Sequence, residues 1–259
     1  MDALARIFLE AEALLFTAAG VFARVGAAAF LLPGLGERGV SIRLRLGAAL
    51  ALTLVLSPLV RPLAPATPQD LPGLLHVLGA EAVAGLVIGL AFRFLIYALQ
   101  IAGTVAANMI SIQHIFGSGV APEPEPTIAT FLAMGGIVLA MNAGLHVAVV
   151  GGLAELYAVL PFGRFPAGPD LAEWTTARVA ETFALGVGLA FPFIALSMAY
   201  NIALGALSRA MPQLLVVLVG IPLLVGLGMA VLWIALPSIY EEWGRHLARV
   251  LADPLGGLG

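Results

Sequence analysis

The chain has no cysteine and no lysine, and only 10% of its 259 residues are charged. The absence of cysteine excludes disulfides, thiolate metal sites and cysteine nucleophiles. A net charge of −3, spread along the chain, gives no basic surface that would bind nucleic acid. The four histidines are scattered, and neither an HExxH motif nor a GxSxG elbow occurs. We therefore predict no metal, no cofactor, no nucleic-acid partner and no catalytic reaction.

Apolar residues dominate instead: hydrophobic side chains make up 61% of the chain, and its mean hydropathy is +1.05. Roughly six apolar segments are visible, several of them long enough to cross about 30 Å of hydrocarbon. Because backbone groups in lipid must hydrogen-bond within their own segment, such segments favour helices. The composition predicts an all-α integral membrane protein in contact with membrane lipid.

The first half of the chain contains apolar segments of very different length. Residues 2–12 suit a short helix at the membrane interface, followed by a span at residues 13–32. Residues 46–60 are apolar but short for a span. Residues 74–110 are long enough for two shorter helices or one bent helix.

In the second half, residues 128–160 form another long apolar block. Residues 182–207 and 214–236 form the last hydrophobic pair, and the short joint between them predicts a tight hairpin or a kink in one long helix. Residues 237–259 suit a charged amphipathic helix that ends in glycine.

The segment from Gly103 to Thr127 interrupts these helices near the middle of the chain. Backbone that leaves a helix in hydrocarbon costs roughly several kcal/mol per unsatisfied group, so this segment lies in water or is wrapped by protein around a pore or cavity. An ordinary exposed turn is one interpretation. The other is a hydrophobic pore plug, because apolar side chains occur where the helix should end and glycines there let the chain turn. The plug candidates are Ile110, Ile112, Ile115, Phe116, Gly117 and Gly119.

Five charged residues lie within or beside apolar segments: Arg24, Glu81, Arg93, Glu155 and Arg209. A charge at the bilayer centre costs roughly 3 kcal/mol on insertion scales, so each needs a partner or a route to water. One interpretation is salt bridges between subunits, and another is an ion or proton path. A secondary transporter with a broken-helix site near Glu81 and Arg93 is the alternative of a different class.

Four groups of short motifs occur in a fixed order along almost the whole chain. They are Phe22–Gly26 with Pro33 and Val40–Arg43, Glu81–Leu90 with Ala102-Gly103, Asn142–His146 with Leu160–Gly163, and Leu204–Gln213 with Gly220–Leu223. This pattern resembles the family of the flagellar biosynthetic protein FliR and its injectisome relative SctT. Two features depart from it: Leu214 and Leu215 follow Gln213 where the family usually has an asparagine, and the central segment ends in an unusual PEPEP sequence.

The resemblance implies a subunit of the type III protein export gate in the bacterial inner membrane and flagellar basal body. Its partners would be FliP and FliQ homologues, with FlhB and FlhA homologues nearby, and unfolded export substrates would pass through the channel. The implied fold is one FliR-type membrane domain of bent helical hairpins. Residues 1–180 would be FliP-like with a plug loop at 110–126, residues 181–240 a FliQ-like hairpin, and residues 241–259 a charged tail.

Within such a gate, this chain would form part of the channel wall. The predicted contacts to other subunits are Arg24, Glu81, Arg209, Pro212 and Gln213. A purely structural scaffold with a passive central loop is a third interpretation, and it differs from the plug in predicting that changes to the loop do not affect ion leakage.

Overall fold

The computed structural model describes residues 2–68, 70–110, 127–210 and 215–258, without side-chain surroundings for residues 2–5, 207–210 and 215–221. Across these ranges the chain is helical and has no strand, which confirms the predicted all-α fold. The helices are α1 (Asp2–Ala29), α2 (Ile42–Val60), α3 (Leu71–Ile110), α4 (Thr127–Asn142), α5 (Leu145–Val159), α6 (Gly168–Ala210) and α7 (Leu215–Ala252), and a short 3-10 helix (Arg61–Leu63) follows α2.

Several helices are longer than the apolar segments that predicted them. Helix α3 is one helix of 40 residues, which excludes two shorter helices, one of the two alternatives at 74–110, and α6 has 43 residues. At 1.5 Å per residue both exceed the roughly 30 Å of hydrocarbon about twofold. Helix α1 also runs without a break through the boundary predicted near residue 12.

Within the described residues, four helices are long and apolar enough to cross a membrane: α2 with its 3-10 extension, α3, α6 and α7. Helices α4 and α5 add a fifth if they count as one broken span, because they meet at an angle of 69°. The bend lies at Gly144, whose φ of +87° suits glycine because it has no Cβ. The chain is therefore a multi-pass membrane protein, with fewer candidate spans among the described residues than the roughly six apolar segments suggested.

The chain divides into two compact units, each built from separate stretches of sequence. The first comprises residues 1–94, 141–178 and 249–259, and the second comprises residues 95–140 and 179–248. The predicted division into a FliP-like part, a FliQ-like hairpin and a charged tail stays a prediction.

In the second unit, two aromatic residues of α7 hold the helices α3 and α4. The fully buried Trp243 donates a hydrogen bond from Nε1 to the carbonyl oxygen of Leu95 at 2.9 Å. The Tyr240 hydroxyl donates to the carbonyl oxygen of Leu132 at 3.2 Å. These bonds fix α7 to both neighbours while they satisfy the polar ends of its aromatic side chains.

Candidate functional site

The first unit contains a buried ion pair between α1 and α3. Arg24 Nε lies 2.9 Å from Glu81 Oε2, and Arg24 Nη2 lies 3.0 Å from Glu81 Oε1. Both residues are 0% exposed. This two-point geometry is the strongest way in which arginine and a carboxylate pair, and it fixes the relative position of the two helices.

Further hydrogen bonds reach the pair from α5 and from the turn after it. Glu81 accepts from the Tyr157 hydroxyl at 3.1 Å and from the backbone N–H of Gly163 at 2.9 Å. Arg24 Nη2 also donates to the carbonyl oxygen of Leu160 at 2.8 Å. Glu81 thus accepts four hydrogen bonds, which is the condition under which a buried carboxylate is tolerated.

Aromatic rings close the site on one side. The Arg24 guanidinium lies over the Tyr157 ring, 3.7 Å from its centroid, and Tyr157 stacks on Phe162 with ring centroids 5.9 Å apart. Arg24 Nη1 is buried and has no hydrogen-bond partner within the described ranges. Contact with the face of the Tyr157 ring offsets part of that cost through a cation–π attraction.

Two glycines let these groups approach closely. A Cβ at Gly85 would lie 2.0 Å from the carbonyl oxygen of Arg24, and a Cβ at Gly20 would lie 2.3 Å from the ring of Phe162. The obstacle at Gly85 is backbone, so a side chain there would push α1 away from α3 and strain the ion pair.

We expect Gly85→Ala to lower the stability of the purified chain in detergent by about 1–3 kcal/mol, the usual cost of overpacking. Unfolding by a denaturing detergent, followed by circular dichroism, measures this change. Gly26→Ala on α1 is the matched control, because a Cβ at Gly26 meets nothing within 4 Å. Equal stability of the two variants would contradict the close approach.

The structure brings two of the predicted inter-subunit residues together within this chain. Arg24 and Glu81 compensate each other's charge, although 57 residues separate them in sequence. Contacts of either residue to another subunit stay a prediction. The transporter alternative placed Glu81 and Arg93 at a broken helix, but α3 is continuous from Leu71 to Ile110. Both residues also have ion-pair partners within the chain, Arg24 for Glu81 and Glu37 for Arg93.

The other predicted residues lie mostly outside the described parts of the structure. These are the plug candidates Ile112, Ile115, Phe116, Gly117 and Gly119 and the hairpin residues Pro212 and Gln213. Arg209 belongs to the last turn of α6, and its side-chain surroundings are likewise not described. For all of these residues the predicted roles stay predictions.

Ile110, the first plug candidate, lies within the described residues and packs against α7, while its role in a plug stays a prediction. It ends α3 with 0% exposure, and a Cβ at Gly228 of α7 would lie 2.5 Å from its side chain. Nearby, a Cβ at Gly103 would lie 2.3 Å from the Cα of Ala129, so α3 and α4 almost touch. Residues 103–110 of the predicted interruption thus belong to α3, and the central segment is reduced to residues 111–126. The described helix ends on both sides of it belong to tightly packed parts of the second unit.

Three groups that form hydrogen bonds with the ion pair were not predicted from the sequence: the Tyr157 hydroxyl, the Leu160 carbonyl and the Gly163 N–H. The available signal was the Pro161-Phe162-Gly163 turn directly after an apolar helix, with a tyrosine one turn earlier. Gly163 has φ +72°, a conformation that favours glycine, and it aims its N–H at Glu81.

These features define a multi-pass helical membrane protein whose buried charges are compensated inside the protein. A model of the family described as "Bacterial export proteins, family 1" matches residues 15–250. The chain belongs to this family of bacterial export proteins, which confirms the resemblance found in the sequence motifs. As a member of an export family it is a structural component rather than an enzyme.

Individual relatives agree with this assignment. The chain is 35% identical over 237 residues to the flagellar biosynthetic protein FliR of Caulobacter vibrioides, covering 91% of this chain and 94% of that protein. It is 27% identical over 236 residues to the FliR of Escherichia coli K12, covering 87% of each. With the FliR of Aquifex aeolicus the identity is 30% over 168 residues, 64% of each.

Proposed function

We propose that the chain is a subunit of the type III flagellar export gate and forms part of its channel wall. The observation that supports this proposal most strongly is the family match, which runs from residue 15 to residue 250 and leaves no large part of the chain unmatched. Unfolded export substrates would cross the inner membrane through this channel, at the flagellar basal body. FliP and FliQ homologues would complete the gate, and FlhA and FlhB homologues would lie nearby.

The exposed surface of the chain supports a role inside an assembly. Large apolar side chains are exposed along α6 and α7, among them Phe183, Phe191, Trp233 and Ile234. Each of these helices exceeds the hydrocarbon thickness, so lipid alone does not cover the whole length of both. Neighbouring subunits are the cover we propose.

We further propose that the central segment closes the channel. The residues that flank it, Ile110 and Thr127, are its anchors, and both are close to the contact between Gly103 of α3 and Ala129 of α4. Ile110 is seven residues, or about 10 Å, beyond Gly103, and Thr127 is two residues before Ala129. The 16 residues between the anchors would span up to about 55 Å if fully extended. The segment is therefore much longer than a direct connection requires, and this length supports a loop that reaches into a channel.

Co-purification tests the gate. We expect the gently solubilised chain to be recovered in one discrete complex with two other small hydrophobic membrane proteins encoded beside it, as measured by mass spectrometry of the intact complex. A monomer or homodimer in the presence of those neighbours would overturn the proposal and favour the transporter.

Two arginine variants test whether Arg209, in the predicted last hairpin, contacts the partner proteins. We expect Arg209→Gln to lower the recovery of the partner proteins. Arg245→Gln is its control, because Arg245 is exposed and already forms ion pairs with Glu241 and Glu242 in the same helix. Equal recovery from both variants would exclude Arg209 as an inter-subunit contact.

A further inference from the structure

Helix α2 presents a long apolar surface that no other part of the described chain covers. Of the four candidate spans it is the least buried. Its buried residues, Ala49, Thr53, Leu56 and Val60, occupy one side only. Exposed leucines occupy much of the rest, and Leu54 is 77% exposed.

Two arginines mark the ends of this surface. Arg43 lies in the first turn of α2, and Arg61 directly follows α2 with helical backbone angles (φ −47°, ψ −43°). The two are 18 residues apart, which is five full helical turns, so Arg61 continues the face on which Arg43 lies. Leu50 and Leu54 lie within about 20° of that line, since they follow Arg43 by seven and eleven residues. We call the surface formed by Arg43, Leu50, Leu54 and Arg61 the outer face of α2.

The dimensions of the outer face match a bilayer. Eighteen residues of helix measure about 27 Å, close to the roughly 30 Å of hydrocarbon, and the long arginine side chains extend beyond each end. The apolar run of residues 46–60 is short for a span by itself, but it is the right length between two interfacial arginines.

The two side-chain hydroxyls within this stretch are satisfied inside the helix. The Thr53 hydroxyl donates to the Ala49 carbonyl oxygen at 2.7 Å, and the Ser57 hydroxyl donates to the Thr53 carbonyl oxygen at 2.6 Å. No charged residue lies between Arg45 and Arg61. A surface of this kind is suited to hydrocarbon, where an unsatisfied polar group is costly.

The arginines on α2 differ in what they contact. Arg45 faces the protein: it donates to the carbonyl oxygens of Leu35 and Glu37 and lies over the ring of Phe30. Arg43 and Arg61 are exposed, and their side chains form no hydrogen bond or ion pair with the described part of the chain. Their positive charges are thus available to phosphate groups.

We propose that the outer face of α2 is a phospholipid-binding surface, with acyl chains against Leu50 and Leu54 and headgroup phosphates on Arg43 and Arg61 at the two membrane interfaces. The charge of the arginines and the 27 Å estimate favour lipid over a neighbouring helix, because a bilayer presents phosphate at both interfaces, whereas a helix would need an acidic group at the matching position of each end. The proposal is independent of the export-gate proposal, since it concerns one helix of the chain in a bilayer.

Spin labels test the apolar part of the surface. The chain lacks cysteine, so Leu54→Cys and Gly39→Cys each provide one labelling site in full-length protein reconstituted in vesicles of phosphatidylethanolamine and phosphatidylglycerol. At residue 54 we expect collisions with oxygen to exceed those with a water-soluble nickel complex several-fold. Gly39, in the exposed loop before α2, is the water-facing control and should give the reverse.

Two results at residue 54 would overturn the proposal. Frequent collisions with the nickel complex would place the outer face in water. Infrequent collisions with both reagents would mean that protein covers it, as in an oligomer.

Spin-labelled lipids test the arginines. We expect Arg43→Gln and Arg61→Gln each to weaken the preference of the chain for phosphatidylglycerol over phosphatidylcholine, by up to about fivefold per arginine. Arg245→Gln removes the same charge from a residue that is already paired and should leave this preference unchanged. An equal loss in all three variants would contradict phosphate binding on the outer face.

Discussion

Replacing Glu81 with glutamine is expected to lower the free energy of unfolding by about 3–5 kcal/mol, the cost of breaking a buried ion pair by removal of one partner. Glutamine keeps the shape of the side chain but removes its charge, so Arg24 would remain as an uncompensated cation with 0% exposure. One of the two oxygens that accept hydrogen bonds would also become a donor. Detergent-induced unfolding of the purified chain measures the loss.

Glu155→Gln on α5 is the matched control for this experiment. Glu155 is exposed, so its variant should change stability by no more than about 0.5 kcal/mol. If Glu81→Gln were as mild as Glu155→Gln, the ion pair would not be a stabilising contact between α1 and α3.

A double-mutant cycle separates the charge from the packing. Arg24→Met in the Glu81→Gln background removes the orphaned cation, so the double variant should be more stable than the sum of the two single losses predicts. We expect a coupling energy of about 1–3 kcal/mol, as for groups in one hydrogen-bond network. Full recovery is not expected, because the Leu160 carbonyl loses its donor.

The ion-pair site shows which features can be predicted from the sequence alone and which cannot. Each charge in an apolar segment needs a partner or a route to water, and this rule singled out Arg24 and Glu81. The prediction placed their partners in other subunits, whereas the structure shows that the two residues pair with each other. The pairing itself could not be predicted, because 57 residues and helix α2 with its 3-10 extension separate Arg24 from Glu81, and nothing local links their positions. The hydrogen bonds from the turn after α5 depend on the same long-range packing.

The helices show a similar limit. The hydropathy pattern predicted the all-α class and the approximate apolar part of each helix, but it could not predict helix ends that lie outside the apolar runs. Helix α6 begins at Gly168, well before the apolar part, and α7 continues through Pro222 and Pro237. Proline is tolerated in such helices because neighbouring groups satisfy the freed carbonyls, so it was a weaker boundary signal than in a soluble protein.

The family could be predicted from the sequence because the short motifs occur in the family's order and spacing, although each motif alone is too apolar to be specific. The glycines in these motifs are positions of close contact. Gly85 lies against the backbone of Arg24, and Gly103 lies against the backbone of Ala129. Close helix packing requires small residues at such points, and this requirement gives the motifs their physical meaning.

Deleting residues 111–121 is expected to leave the gate assembled but leaky to ions and small molecules. Both anchors would remain, since Ile110 still packs on Gly228 and Gly103 still meets Ala129. In the plug that we propose, the apolar residues of the central segment keep the channel closed by dewetting, so water would enter once they are removed. Conductance of the purified complex in planar bilayers measures the leak, and the mass of the intact complex reports assembly.

Substitutions within the segment distinguish a plug from a change in loop length. Replacing Ile112, Ile115 and Phe116 together by serine keeps the number of residues but removes the apolar surface, so it should reproduce the leak of the deletion. Replacing Glu123 and Glu125 by glutamine changes only the charge of the same segment and should leave the channel closed. An assembled gate that stays tight after the deletion would instead support the passive scaffold. A leak from the glutamine variant but not from the serine variant would mean that charge, rather than dewetting, closes the channel.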